Sequence, residues 1–399
     1  MGTFKERLPY GLLGLLAIIA LVTLLWLLVP VAGRSKTDSP SSFPGTRESG
    51  ITLIDQNGAT LHLNEAARRV IVIPIPMASM MMAIDGSAEK IYGMNAAAKT
   101  DLTDGLLGRM FPDAMNISTE VAGENFIPNS EALAREHPDL VMQWGDRSDA
   151  IIQPIKALGM PVLGFRYGDS LLAAEWLEMI GSVIGKPTRA HELSSWFRTR
   201  VREITDIAAT IPDAEKPRVV YLIRAKAALM AVGKSTSMDS DIRRVGGINP
   251  ATALPPSSTV DIEQLLRWNP DIVLLNNFEP GLSPDFFYND PRFAEMNAVK
   301  SRRVYLYPRG GFRWDPPSQE TPLATEWLFK VLHPKHADKT GDLRSHIKAA
   351  YQFLYRYSVS ESEIDEILQT EKNIKSALYA ELFAPLSPQP SLTLNERDE

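Results

Sequence analysis

The 399-residue chain contains no cysteine. That absence excludes disulfides, thiolate zinc sites and cysteine nucleophiles together, and with them a lipid anchor built on an N-terminal cysteine. It fixes no redox compartment, because exported proteins are not obliged to carry disulfides. A positive charge excess is lacking too: 42 Lys and Arg face 48 Asp and Glu, a formal net charge of −6. No basic field is therefore available to hold nucleic acid. Glycine (25) is scarcer than proline (29), which points to rigid connections rather than loose ones. Histidine is sparse, and His62, His137, His191, His333, His336 and His346 are scattered. The tight cluster that a bare zinc or manganese ion needs is missing. His137 reads as structural in a turn, and His333 and His336 as solvated near a helix end.

Catalytic signatures are absent as well. Gly233-Lys234-Ser235-Thr236 ends like a phosphate-cradling loop, but Ala228 stands where that motif needs its first glycine. No Gly-x-Ser-x-Gly elbow or Gly-x-Gly-x-x-Gly fingerprint occurs. No enzyme and no cofactor is expected from these residues.

What is present begins at the N-terminus. Lys5 and Arg7 precede an uncharged, largely aliphatic stretch from Leu8 to Gly33. About 20 apolar residues cross a bilayer as a helix, whereas a signal-peptide core is about 7–15 residues long. Val31-Ala32-Gly33 also offers a cleavage site, so residues 1–33 are expected to be an anchor or a long signal peptide. The basic residues ahead of the span place everything after Arg34 outside the cytoplasm. Residues 34–49 are polar and turn-rich and read as a flexible linker.

The remaining chain is globular in composition, with 44% hydrophobic and 23% charged residues overall. Ile51–Leu63 alternates around Asn57-Gly58, a hairpin signal. Short apolar runs at Val70–Ile75, Lys90–Met94, Leu140–Trp144 and Pro161–Phe165 read as strands separated by helical stretches. From Ser170 to Ile211 the period changes to 3.6, with Gly185-Lys186-Pro187 interrupting it. A second alternating unit follows, with strands at Arg218–Ile223, Ile272–Asn276 and Val304–Tyr307. The two halves repeat: Glu131-Ala-Leu-Ala-Arg-Glu-His-Pro138-Asp139 and Glu263-Gln-Leu-Leu-Arg-Trp-Asn-Pro270-Asp271 lie at one constant offset, each leading from a helix into a buried strand. The fold class expected is α/β: two αβ lobes, 50–170 and 212–370, joined by a bridging helix at 171–211 with a ligand cleft between them. Residues 371–399 are expected to be a partly disordered tail.

These paired segments flank the central helix, and Arg313-Trp314-Asp315-Pro316-Pro317 leads into a Trp327-Leu328 helix. With Gly246-Gly247-Ile248-Asn249 and the ending Tyr351-Gln352-Phe353-Leu354-Tyr355, their order resembles the iron-siderophore and cobalamin class of periplasmic binding proteins, over about residues 50–370. The resemblance implies a substrate-binding subunit of an ABC importer that captures a metal chelate such as a ferric siderophore, haem or cobalamin. It also implies that each lobe offers one carboxylate to the ABC permease, here Glu131 and Glu263. The plainer reading of both is an acid in the first turn of a helix, favourable to the dipole. A membrane-anchored sensor or scavenger with the same fold remains the alternative.

Open α/β sheets place ligands at the ends of their strands. A bulky chelate calls for aromatic planes, and an anionic one for the fixed charge of arginine. The candidates are therefore Trp144, Arg166, Tyr167, Arg224, Arg309, Arg313 and Trp314. For Trp144 and Trp314 the competing role is packing; for the arginines it is pairing with a structural carboxylate. Met77, with Met80, Met81 and Met82 close behind, invites a soft-metal reading, yet the spacing also suits one helix with a methionine-filled inner face. Met77 is kept as a possible ligand contact from the loop.

Overall fold

The computed structural model describes residues 50–385. The anchor or signal peptide expected at 1–33, the linker at 34–49 and the end of the tail lie outside the described residues. Among the described residues no helix is long and apolar enough to cross a membrane.

The chain opens with the antiparallel hairpin β1 (Ile51–Ile54) and β2 (Thr60–Leu63), turned at Gly58 in the left-handed region. The first lobe is then built on β3 (Val70–Val72), β4 (Ile91–Met94), β5 (Leu140–Trp144) and β6 (Val162–Phe165), all parallel, in the order β4-β3-β5-β6. Strands β3 and β5 are buried throughout, as expected for a parallel sheet covered on both faces. Its helices include α1 (Met77–Asp85) and α2 (Ala96–Asp104), which follow β3 and β4, α3 (Ser130–Glu136), which precedes β5, and α4 (Asp149–Ala157), which follows it.

The stretch expected to form one bridge is two helices packed on each other, α5 (Leu172–Val183) and α6 (Pro187–Ala208). Gly185 adopts φ 75° at the break, and Pro187 opens α6 where its missing N–H costs nothing. The bridge proper is α6, about 33 Å long at 1.5 Å per residue.

The second lobe carries β7 (Val219–Arg224), β8 (Met230–Val232), β9 (Ser257–Thr259), β10 (Ile272–Leu275) and β11 (Val304–Leu306) in the order β11-β10-β7-β8-β9. The first three strands of that order are parallel, and β8 and β9 extend the sheet antiparallel. Its helices include α7 (Ser237–Arg244), α8 (Ile262–Trp268) and α9 (Thr321–Leu332), followed by α10 (Leu343–Tyr355) and α11 (Glu361–Leu368). Order runs further into the tail than its composition suggests. Asn373 exchanges hydrogen bonds with the backbone of Leu306 on β11, and Tyr379 and Phe383 are buried.

The sequence repeat is a repeat of hydrogen bonds. Helices α3 and α8 are capped by Asn129 and Asp261 and end on left-handed His137 and Asn269. The following carboxylates fold back on the strand that begins each lobe: Asp139 accepts from the Arg68 and Arg69 amides, and Asp271 from the Arg218 amide. Arg69 and Arg218 in turn donate through Nε to the carbonyls of His137 and Trp268. The His137 reading as structural therefore holds. His333 does not solvate: it is buried and bonds the Val245 carbonyl at 2.7 Å.

One apolar cluster runs through both lobes. It joins Val70, Met80 and Trp144 of the first to Tyr305, Leu328 and Tyr351 of the second through Trp176, Leu193 and Phe197 of the helix pair.

Candidate ligand-binding cleft

The carboxyl ends of the strands of both lobes meet at a cleft of about 740 Å3. In the first sheet, the crevice lies where the chain leaves β3 toward β4 on one side and β5 on the other, the topological switch point of an open sheet. Ile75 after β3, Asp101 on α2, Arg147 after β5 and Tyr167 after β6 face it from that lobe. The other lobe contributes Tyr221 and Arg224 from β7, Ser237 at the start of α7, Phe278 after β10, and Arg313 and Asp315 after β11. The volume suits an organic ligand of drug-like size, for which pockets of about 300–1,000 Å3 are usual.

Tyr167, Arg224 and Arg313, all singled out from the sequence, line this cleft. Arg224 stacks its guanidinium 4.2 Å from the Phe278 ring centre, and Arg313 lies 4.5 Å from the same ring. Tyr167 reaches across the lobes to Ser237 at 3.2 Å, and burial raises its pKa.

The remaining candidates lie elsewhere. Trp144 is buried behind the wall, edge-on to Tyr167, Trp176 and Phe126, so it supports the site rather than lining it. Arg166 is exposed off the wall; successive residues at a strand end point in opposite directions, and Tyr167 takes the inward one. Trp314 is buried and donates its Nε1–H to Glu320 at 2.8 Å. Met77, Met80, Met81 and Met82 are all buried on α1 as core, and among the described residues no three His, Cys, Asp or Glu side chains are grouped to hold a metal ion. Arg309 pairs with Asp104 at 3.0 Å and faces a separate hollow of about 380 Å3, whose Arg109 is likewise paired, with Glu366.

Glu131 and Glu263 are both exposed, each in the first turn of its helix, α3 and α8. Their equivalence follows from the repeated hydrogen bonds described above.

Arg147 was not singled out from the sequence. Its guanidinium lies 4.5 Å from the centre of the Phe126 ring, 5.4 Å from Trp144 and 5.9 Å from Tyr167. Three aromatic faces therefore hold the cation, through the attraction of a ring quadrupole for positive charge, and its N–H donors stay available. The cradle has its own support. Phe126 sits at φ 63°, and the buried Gln143 amide donates to its carbonyl at 2.9 Å and to that of Ile151 at 3.3 Å. The one sequence signal for Arg147 was its place three residues beyond β5.

Arg313 differs from Arg147 and Arg224. It lies between Asp101, 3.3 Å away, and Asp315, 3.5 Å away, whereas the other two form no ion pair among the described residues. Tyr221 donates to the second Asp315 oxygen at 3.0 Å. The loop carrying Arg313 is fixed by buried Glu320, which accepts from Trp314, Tyr351, Tyr355 and the Phe312 amide. A Cβ at Gly310 would stand 2.0 Å from a Glu320 oxygen, so only glycine permits that approach. The arrangement offers fixed charge and aromatic faces around a cleft open to solvent. No nucleophile–base pair accompanies them.

Residues 116–309 match the family model described as periplasmic binding protein. A periplasmic solute-binding protein of Veillonella parvula shares 30% identity, superposes with a TM-score of 0.73, and aligns over 82% of this chain and 99% of its own. The molybdate-binding protein MolA of Haemophilus influenzae is 24% identical over 80% of this chain and 94% of that protein. The Fe(3+)-citrate-binding protein YfmC of Bacillus subtilis is 22% identical over 70% and 84% respectively.

Proposed function

The chain belongs to the periplasmic binding proteins, non-catalytic solute carriers of ABC importers, and from that premise we propose that its cargo is an anionic metal chelate such as a ferric siderophore. The observation that carries this reading is the pair Arg147 and Arg224, one from each lobe, held by aromatic rings instead of carboxylates. A guanidinium held on its face keeps in-plane donors for the oxygen shell of a chelate, those of Arg147 and those of Arg224 other than the Nη1–H bonded to the Ile223 carbonyl, while the rings offer planes to its organic part. Delivery follows by docking on the permease through Glu131 and Glu263, with the N-terminal segment as anchor or signal peptide. A tether would raise the effective concentration of the loaded protein at the permease.

A second reading is a bare oxyanion. It is favoured by the similarity to MolA over nearly the whole of that protein. A tetrahedral oxyanion would leave most of the 740 Å3 to water, which makes it the weaker fit.

Trp144 lies beneath Arg147 and reports on the cleft. The tryptophan fluorescence of the full-length chain, to which Trp144 is one contributor, titrated with ferric siderophores, ferric citrate, haem, cobalamin and molybdate, separates the readings. Quenching by one anionic chelate at micromolar or tighter affinity supports the proposal. Saturable quenching by molybdate alone would replace it with the oxyanion.

A further inference from the structure

Three side chains on the cleft wall form an arrangement that the capture of an anion does not require. Asp101 comes from the first lobe, Arg313 and Asp315 from the second. The Arg313 Nε lies within ion-pair distance of both carboxylates, yet hydrogen-bond geometry is met with neither. Asp101 Oδ2, Asp315 Oδ1 and Arg313 Nε have no other hydrogen-bond partner, and all three atoms are buried. Two carboxylates therefore share one guanidinium, which cancels its charge and leaves a negative surplus beside the space the cargo fills.

We propose that Asp101 sets the charge selectivity of the cleft, taking up a proton as an anionic cargo binds and so releasing Arg313 to face it. This rests on the reading of the cargo as an anion. The charged groups that act on Asp101 are Asp104 of its own helix, and Arg309, Arg313 and Asp315 from the segment after β11. Burial lifts its pKa to about 6 against the pull of Arg313, and the other three contribute less. An ordinary aspartate, with a pKa of about 3.9, would stay ionised throughout the neutral range. Asp101 instead begins to protonate just below neutrality. An anion placed beside it raises its pKa further, so proton uptake on binding sets in from about pH 6 upward. By linkage, cargo affinity then rises as pH falls, by up to about tenfold per pH unit for one proton taken up.

The test uses ferric citrate as probe, titrated into the full-length chain and into its Asp101→Asn variant from pH 5.5 to 7.5. The citrate's own titration is common to both, so the difference in slope isolates Asp101. The Kd of the native chain should tighten more steeply with acidification than that of the variant, which should bind more tightly at pH 7.5. Parallel slopes would overturn the proposal. Absence of binding by both proteins at every pH, of ferric citrate and of the ferric siderophores alike, would remove the anionic-cargo reading, and this proposal with it. A second measurement does not depend on the variant: the carbon-13 carboxyl resonance of Asp101 should titrate near pH 6 in the free protein and higher with gallium citrate, the diamagnetic stand-in for ferric citrate, as bound probe. A midpoint near 4, or one that the probe does not move, would equally overturn it.

Discussion

At the scale of single residues, the most consequential buried group is Glu320. Burial raises its pKa, while hydrogen bonds from Tyr355, Trp314 and Tyr351 pull the other way. Its replacement by alanine leaves two phenols, an indole and backbone amides without an acceptor. Each orphaned buried donor costs about 1–3 kcal/mol. Glu320→Ala should therefore lose about 3–5 kcal/mol of stability in denaturant titration, near the upper end for a single substitution. Glu320→Gln, which keeps the shape and one acceptor oxygen, should lose less. Because this carboxylate pins the 309–313 loop, the alanine variant should also weaken cargo binding through a displaced Arg313.

The same scale shows where sequence reading stops. Tyr167, Arg224 and Arg313 could be picked out because each sits on or just beyond a strand that ends at the cleft. Arg147 could not, since its role depends on three rings brought together from separate parts of the chain. Asp101 escaped for another reason: it lies within a helix, and only the approach of the other lobe brings Arg313 to it.

Among the elements, those with a strong local signal were legible. The β1–β2 hairpin followed from Asn57-Gly58, the parallel strands from short apolar runs, and the kinship of the lobes from the Pro138-Asp139 and Pro270-Asp271 turns. Strands β8 and β9 were not, being three residues each and held by pairing rather than by apolar pattern. The bridge was read as one helix because its period continues past Gly185, but the chain turns there and α6 packs back along α5.

That pair makes a specific demand at Gly181. A Cβ there would stand 2.1 Å from the Ala190 Cβ and 2.9 Å from the Lys186 carbonyl. Gly181→Val should force the two helices apart and cost about 1–3 kcal/mol, as overpacking does. Thermal unfolding of the variant checks this, and an unchanged midpoint would mean that the helices do not pack as described.

For the whole molecule, the shared core is the main fact. Apolar contacts continue from one sheet through α5 and α6 to the other, and backbone bonds join Leu106 and Leu107 to Gly310 and Gly311 across the lobes. A wide hinge would have to break these contacts, so closure on the cargo is expected to be small. Under the docking proposed for Glu131 and Glu263, recognition by a permease would depend on surface charge held in a nearly fixed geometry. Glu131→Arg with Glu263→Arg should abolish transport in reconstituted vesicles while leaving cargo affinity within about twofold of the native value, since rim charges far from the cleft are worth little to it. Unaltered transport would remove both residues from the docking surface.

The account rests most heavily on the two ring-held arginines. Isothermal titration of the full-length chain with the tightest chelate from the fluorescence series tests them directly, beside an Arg147→Ala, Arg224→Ala double variant. One site per chain is expected, with affinity at least about a hundredfold weaker in the double variant. That factor is what two charge-assisted hydrogen bonds of about 1.5–3 kcal/mol each would give. Equal affinity in the two proteins would contradict the account, because the cargo would then be held without the charge assigned to hold it.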